Sequence, residues 1–227
     1  MDSNKKNECG RPYVILNAAM SLDGKIASKN RDSELSSPED WERVHKLRGE
    51  VDAIMIGIGT LLTDNPKLTV KYPRKKPLIK VIVDSLGRTP PDAKVLQHKD
   101  GSRVVIAVGS KASDERIKAL QKAGAYVIKT DSDDEKVNLR FLVQKLGEMG
   151  VKKILLEGGG NLNWGMVKAG LVDEVRVAVA PVIVGGIEAV TLVEGEGYPT
   201  IKDGLKLKLV DVEKFGENLV LTYKTIN

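Results

Sequence analysis

The sequence predicts an α/β fold, a three-layer α/β/α arrangement around a mixed, mostly parallel central sheet. Three observations predict it. Short runs of consecutive aliphatic residues alternate with helical segments, which implies parallel crossovers and a sheet covered on both faces. Aromatic residues make up only 4% of the 227 residues, so aliphatic side chains must build the core. The chain ends in two strand-like runs around Lys214-Phe215-Gly216-Glu217, a hairpin that adds antiparallel strands.

The elements follow in order. Tyr13-Val14-Ile15-Leu16 reads as a first strand and leads to the turn signal Asp23-Gly24. Ser37-Pro38-Glu39-Asp40 opens a helix with a serine cap, a proline at the first helical position and acids in the first turn. Trp41, Val44 and Leu47 share one face of it. Residues 51–58 read as a buried strand, with a polar segment after it. Further strands are expected at 78–83, 103–108, 126–128, 153–156 and 174–180, and helices at 114–123, 137–149 and 162–169. The final hairpin pairs 205–212 with 218–223. Residues 1–12 read as a flexible polar tail and 13–227 as a single domain.

Composition narrows the chemistry. The formal net charge is +5, from 36 basic and 31 acidic residues, which suits either an ordinary solvated surface or a site for a small anion. The densest basic stretch, Lys71 to Lys80, holds one aromatic residue, Tyr72, so base stacking on nucleic acid has little support. One cysteine, Cys9, and two histidines, His45 and His98, cannot build a zinc centre of the deaminase type, and no metal site is expected. The N-terminus has no apolar h-region, and no apolar run approaches the roughly 20 residues needed to span a bilayer. A cytoplasmic location away from membranes is therefore expected.

The strongest chemical feature is Ile154-Leu155-Leu156-Glu157-Gly158-Gly159-Gly160-Asn161, a strand running through three glycines into a helix. Backbone N–H groups there can hold phosphate oxygens, with the helix N-terminus adding its dipole; the alternative is a tight connection without a ligand. Gly57-Ile58-Gly59-Thr60 is a weak dinucleotide-like turn, since Leu62 stands where a third glycine would fall. Thr60 and Asp64 are i, i+4 partners that suit a ribose or pyrophosphate, although Asp64 equally suits a cap for Asn65-Pro66. Ser85 and Arg88 follow the 78–83 strand and suit a 2′-phosphate, or a plain turn with a solvated arginine. Three strand ends thus carry small or polar groups, and their convergence on one crevice is expected. No Gly-x-Ser-x-Gly nucleophile and no Walker lysine loop occurs, whereas hydride transfer needs few protein acids or bases.

Taken as an ordered set, five segments resemble the reductase of riboflavin biosynthesis, a family similar in fold to dihydrofolate reductase. They are Met20-Ser21-Leu22-Asp23-Gly24-Lys25-Ile26-Ala27, Thr60 through Val70, Val81-Ile82-Val83-Asp84-Ser85, Leu155 through Gly160, and Ala180-Pro181 with Gly185-Gly186. The resemblance implies that Thr60, Asp64, Ser85 and the turn Gly158, Gly159, Gly160, Asn161 and Leu162 bind the cofactor. That cofactor is NADPH, with NADH as the alternative. It also implies that Ser33, Arg48, Leu68, Lys71 and Glu157 line the substrate and its phosphate, with Glu157 as the catalytic candidate. Lys71 stands where bacterial relatives carry arginine, and Asn17 where they carry lysine.

Bacterial bifunctional members carry a zinc deaminase domain, and this sequence resembles the stand-alone archaeal or fungal type. The resemblance therefore implies reduction of 2,5-diamino-6-ribosylamino-4(3H)-pyrimidinone 5′-phosphate, a phosphorylated pyrimidine, by a homodimer. Reduction of the deaminated uracil compound and a non-catalytic nucleotide-binding module are the alternatives.

Overall fold

The structure, a computed structural model, describes residues 10–74, 76–131 and 135–226. Cys9, with most of the expected tail, and Lys75 of the basic stretch lie outside them.

Strand β1 (Tyr13–Ser21) sets the layer plan. Val14 and Leu16 enter one core with Met55 and Val81, and Ile15 enters the other with Ile54 and Ile82. Successive strand side chains point to opposite faces. An unbroken aliphatic run therefore builds both cores at once, which is why these strands do not alternate with polar residues.

The other strands of the main sheet are β3 (Ala53–Gly57), β4 (Ile79–Val83), β5 (Arg103–Val108), β6 (Tyr126–Lys129), β7 (Lys153–Leu156), β8 (Glu174–Ala180), β10 (Leu207–Phe215) and β11 (Asn218–Thr225). Their order is β10-β11-β8-β1-β7-β3-β4-β5-β6. Pairings from β8 through β6 are parallel. The terminal hairpin adds the two antiparallel pairings. A separate two-stranded sheet joins β2 (Lys25–Ala27) to β9 (Val190–Thr191).

Helices α1 (Pro38–Glu50), α2 (Ile58–Asp64), α3 (Lys94–Gln97) and α4 (Asp114–Lys122) give Leu47, Leu61, Val95 and Leu120 to one core. Helices α5 (Leu139–Glu148) and α6 (Gly160–Lys168) give Leu142, Leu146 and Met166 to the other. This is the three-layer α/β/α arrangement. Ser37 caps α1 by accepting from the Asp40 N–H at 3.2 Å, and Asn138 caps α5 by accepting from the Phe141 N–H at 3.0 Å. Arg74 and Lys80 of the basic stretch are tied into the fold. Arg74 donates to the Arg48 and Val51 carbonyls at the end of α1, where a cation suits the helix dipole. Lys80 is fully buried and bonds Asp100 at 2.9 Å.

Four details correct the sequence reading. The strand expected at 51–58 is shorter, because Gly57 is an extended N-cap and Ile58 opens α2. That helix buries only Leu61, so it shows no helical period. Helix α6 starts at Gly160 rather than Leu162. The short elements β2, β9 and α3 lie in segments without an aliphatic run.

The topology selects one place on the sheet. After β3 the chain leaves through α2 toward the α1 face, whereas after the adjacent β7 it leaves through α6 toward the opposite face. Loops that part in this way open a crevice beyond the carboxyl ends of the strands, where open α/β sheets bind ligands.

Candidate active site

The crevice between β3 and β7 is built from glycines. The Gly57 N–H donates to the Gly158 carbonyl at 2.7 Å, and the Glu157 N–H donates to the Met55 carbonyl at 2.9 Å. Gly158 has a φ of 79°, and a Cβ there would lie 3.1 Å from the Asn163 amide. A Cβ on Gly160 would press to 2.6 Å on the Thr191 carbonyl. Packing against the protein thus requires two of the three glycines. A Cβ on Gly159 would instead meet the Thr60 hydroxyl at 3.3 Å, and both residues border the cleft. The Gly158–Gly159 peptide bond is cis. Gly159, the N-cap of α6, offers no side-chain cap, and it lines the cleft with the first-turn residues Gly160, Asn161 and Leu162, so the positive end of that helix borders the cleft.

The cleft has a volume of about 1370 Å³. A single small ligand fills roughly 300–1,000 Å³, so a dinucleotide fits with room for a second molecule beside it. The cleft brings together Thr60, Asp64, Ser85, Arg88, Gly159, Gly160, Asn161 and Leu162 with Ser33, Arg48, Leu68 and Glu157. The three strand ends expected to converge belong to β7, β3 and β4, which are neighbours in the sheet. Gly158 lies behind the cleft surface, with its carbonyl held by Gly57. Lys71 is not among the lining residues; it is exposed and pairs with Glu42 at 3.4 Å.

At the centre stands an ion pair that joins α1 to the end of β7. Arg48 donates from Nε to Glu157 Oε1 and from Nη2 to Oε2, each at 2.8 Å, and from Nη1 to the Thr69 carbonyl at 3.1 Å. The two side chains are only 11% and 12% exposed. Burial opposes the charge on Arg48, but Glu157 outweighs it, and the pKa of Arg48 is raised. A carboxylate gripped by both prongs of a guanidinium has a fixed plane, so Glu157 presents one orientation to the cleft. The Trp41 ring lies 6.0 Å from the Arg48 guanidinium.

Other groups tune the walls. Partial desolvation raises the pKa of the Asp64 carboxyl, although the residue as a whole is exposed. Leu68 is buried yet has a left-handed backbone, with φ 51°, a strain of about 1–3 kcal/mol of the kind that clusters at functional sites. The Ser85 hydroxyl accepts from the Val137 N–H at 3.2 Å and so ties the 135–140 segment to the cleft edge. The His45 pKa is lowered by burial, then by Arg48 and Lys71.

Sequence reasoning missed some of the lining. Trp41, expected only to share a face of α1 with Val44 and Leu47, is 48% exposed and borders the cleft. Glu194 borders the cleft and accepts from Asn161 Nδ2 at 2.9 Å, and nothing local marks it. Asn17, marked in the sequence by standing where bacterial relatives carry lysine, is 5% exposed, lines the cleft and accepts from Arg43 Nη2 at 3.0 Å; a carboxamide inside the apolar run of β1 is a second, local signal. Among the described residues no group of three or more potential ligands could hold a metal ion.

An open α/β domain with a switch-point crevice, a glycine turn at a helix N-terminus and a buried charge pair beside it belongs to the class that binds a nucleotide next to a second small molecule. Comparison with known proteins gives the family: the chain belongs to the RibD C-terminal domain family, whose model matches residues 12–221. It is 48% identical over 217 residues to the 2,5-diamino-6-ribosylamino-4(3H)-pyrimidinone 5′-phosphate reductase of Methanothermobacter thermautotrophicus, covering 94% of this chain and 98% of the relative. Among solved structures it is similar to Acinetobacter baumannii RibD, with a TM-score of 0.80 at 25% identity, covering 96% of this chain and 58% of that one. Dihydrofolate reductase from Enterococcus faecalis shares the fold alone, with a TM-score of 0.51 at 11% identity over 96% of this chain and 98% of that one. The resemblance read from the motifs and the expected fold class both hold.

Proposed function

We propose that this chain reduces the ribosyl group of 2,5-diamino-6-ribosylamino-4(3H)-pyrimidinone 5′-phosphate to ribityl with NADPH, as a step of riboflavin biosynthesis. The supporting relative carries that reductase's name at 48% identity along nearly its whole length. One observation carries the reading on the structural side. A single cleft joins the glycine turn to the Arg48–Glu157 pair, with Glu157 and Gly158 consecutive in the chain.

In this reading the α6 N-terminus, with Gly159, Gly160, Asn161, Leu162 and Thr60, cradles the pyrophosphate, and Gly158 shapes the turn behind it. Asp64 faces a ribose. Ser85 and Arg88 lie toward the adenosine 2′-phosphate, which favours NADPH over NADH. When bound, the nicotinamide supplies the hydride. Glu157, fixed by Arg48, orients the pyrimidine or the ribityl chain. Leu68 and Ser33 line the substrate. Lys71, three residues after the cleft residue Leu68, reaches the 5′-phosphate by leaving Glu42. Arg48 has N–H donors beyond the three engaged by Glu157 and Thr69, and these face the same anion.

The assay compares the diamino and deaminated pyrimidine phosphates side by side, each with NADPH and with NADH. Faster turnover of the diamino compound with NADPH is expected. Equal turnover of the two pyrimidines leaves the substrate assignment without support, and tight NADPH binding without turnover of either favours a non-catalytic module.

The proposal extends to a single 13–227 domain acting in the cytoplasm as a homodimer. No helix among the described residues is long and apolar enough to cross a membrane. Strand β10 is an unpaired edge, and Leu207, Leu209, Val210 and Val212 on it are 39–51% exposed. An apolar open edge favours pairing with a second copy. A monomer at micromolar concentration in sedimentation equilibrium overturns the dimer.

A further inference from the structure

We propose that Asp23 is a positioning residue that clamps the strap over the glycine-turn end of the cleft. The inference rests on the nucleotide-binding reading of that end.

The strap is the segment from Pro181 to Glu194. Its first half has almost no hydrophobic anchor: Ile183 and Ile187 are 72% and 100% exposed, and Pro181, Val182 and Glu188 are exposed as well. Its second half does border the cleft, through Val190 and Glu194. Val190 pairs with Ala27 of β2, and Ile26 and Ala27 are cleft residues too. The strap then crosses the glycine turn. The Glu194 N–H donates to the Gly160 carbonyl at 3.1 Å, and Asn163 Nδ2 donates to the Leu192 carbonyl at 2.8 Å.

Polar contacts must hold the first half, and Asp23 supplies its central ones. Its Oδ1 accepts from the Val184 N–H at 3.0 Å and from the Ser21 hydroxyl at 2.6 Å, while Oδ2 accepts from the Gly185 N–H at 2.7 Å. Gly185 and Gly186 have φ values of 66° and 83°, the left-handed backbone through which successive N–H groups form an anion-binding concavity. Here the anion is a side chain of the same protein. Ser21 Oγ in turn accepts from the Lys25 N–H at 2.9 Å and so fixes the entry to β2. One carboxylate thus holds both loops that lead into the β2–β9 wall. Backbone bonds from Leu22 to the Val182 carbonyl and from Leu192 to the Gly24 carbonyl secure the strap on either side of this point, and Lys25 Nζ adds a longer bond to the Ala189 carbonyl at 3.4 Å. The contacts with Ser21 and the two backbone N–H groups hold the Asp23 pKa at about 2, so the clamp is charged throughout the neutral range.

The test compares wild type with Asp23→Asn and Asp23→Ala by amide hydrogen exchange and by NADPH titration without pyrimidine. Asparagine keeps the shape and one acceptor, and alanine removes both. Faster exchange at Val184, Gly185 and the Val190 region is expected. The NADPH dissociation constant should rise roughly five- to tenfold, less than the loss of a direct bond to a charged group would give, because the bonds removed hold the wall and not the nucleotide. The KM for the pyrimidine should change less than about twofold. Unchanged exchange in both variants shows that the carboxylate does not hold the strap. Faster exchange with unaltered NADPH affinity shows a surface loop unconnected to the cleft. Either result overturns the proposal. A wild type that binds no nicotinamide nucleotide sinks the reductase reading, while exchange at Val190 still decides whether Asp23 positions the wall.

Discussion

Replacing Glu157 with glutamine breaks the central ion pair while nearly preserving its shape. Both side chains are about nine-tenths buried, so solvent does little to replace the lost partner. Removing one member of a buried pair costs about 3–5 kcal/mol. Glutamine keeps one acceptor oxygen for one of the two guanidinium donors, so roughly half of that loss is expected, about 2 kcal/mol. For a domain of this size that lowers the melting temperature by about 4–8 °C. In the proposed reaction the carboxylate also contacts substrate, and loss of a hydrogen bond to a charged group lowers kcat/KM by about 10- to 100-fold.

Stability and function separate in a second variant. Replacing the pair with apolar residues, Arg48→Met with Glu157→Leu, leaves no uncompensated charge, and such replacements are often neutral or stabilising. The double variant should melt near the wild-type temperature and be at least as impaired in kcat/KM as the single one, because it also loses the Arg48 donors. Thermal denaturation and steady-state kinetics on the same preparations check both halves. Wild-type turnover in Glu157→Gln refutes a substrate contact at Glu157. An unchanged melting temperature in that variant refutes the energetic weight assigned to the pair.

Three further outcomes are expected. Gly159→Ala places a methyl group 3.3 Å from the Thr60 hydroxyl on the cleft side of the turn; it should weaken NADPH binding by at least about tenfold, roughly 1.4 kcal/mol, and titration showing intact affinity would remove the pyrophosphate from this turn. Lys71→Ala should raise the KM for the phosphorylated pyrimidine by about three- to tenfold with little change in kcat; an equal effect on a dephosphorylated substrate argues against a phosphate contact. His45 should titrate below its ordinary 6.5, because burial, Arg48 and Lys71 disfavour the imidazolium. A folded-state pKa below the unfolded value means full stability above about pH 6.5 and a loss as the pH falls toward the folded value; an imidazole resonance that titrates at or above 6.5 refutes this.

The legible parts of the fold are those where one physical requirement acts on consecutive residues. Lys153–Leu156 and Arg103–Val108 must fill cores on both faces, so their aliphatic runs are unbroken. Ser37-Pro38 marks α1 because a helix start needs an acceptor and tolerates proline. Helix α2 was hidden because one buried leucine in seven residues leaves no periodicity. The site divides in the same way. The glycine turn is local and visible, whereas the Arg48–Glu157 pair joins residues 109 apart, and each alone reads as a charged residue at the end of an element. Trp41 shows the limit of pattern reading. A helical face gives the direction of a side chain but not what lies there: Leu47 on that face is buried in a core, whereas Trp41 borders the cleft.

The arrangement at β3 and β7 explains why one family of residues can serve two ligands. Parallel strands lock their ends to each other: Glu157 bonds Met55, and Gly57 bonds Gly158. The carboxylate proposed to meet the substrate and the turn proposed to meet the cofactor are therefore one residue apart on a backbone held by the neighbouring strand. Their separation is set by covalent geometry and not by packing that could relax. Arg48 approaches from α1 on one face and α6 departs on the other, so the proposed substrate contact is braced from one layer and the glycine-turn part of the proposed cofactor cradle from the other. A change in α1 should therefore alter substrate constants before cofactor constants, and a change in the α6 turn should do the reverse. Only substitutions at Glu157, where the two meet, should move both together.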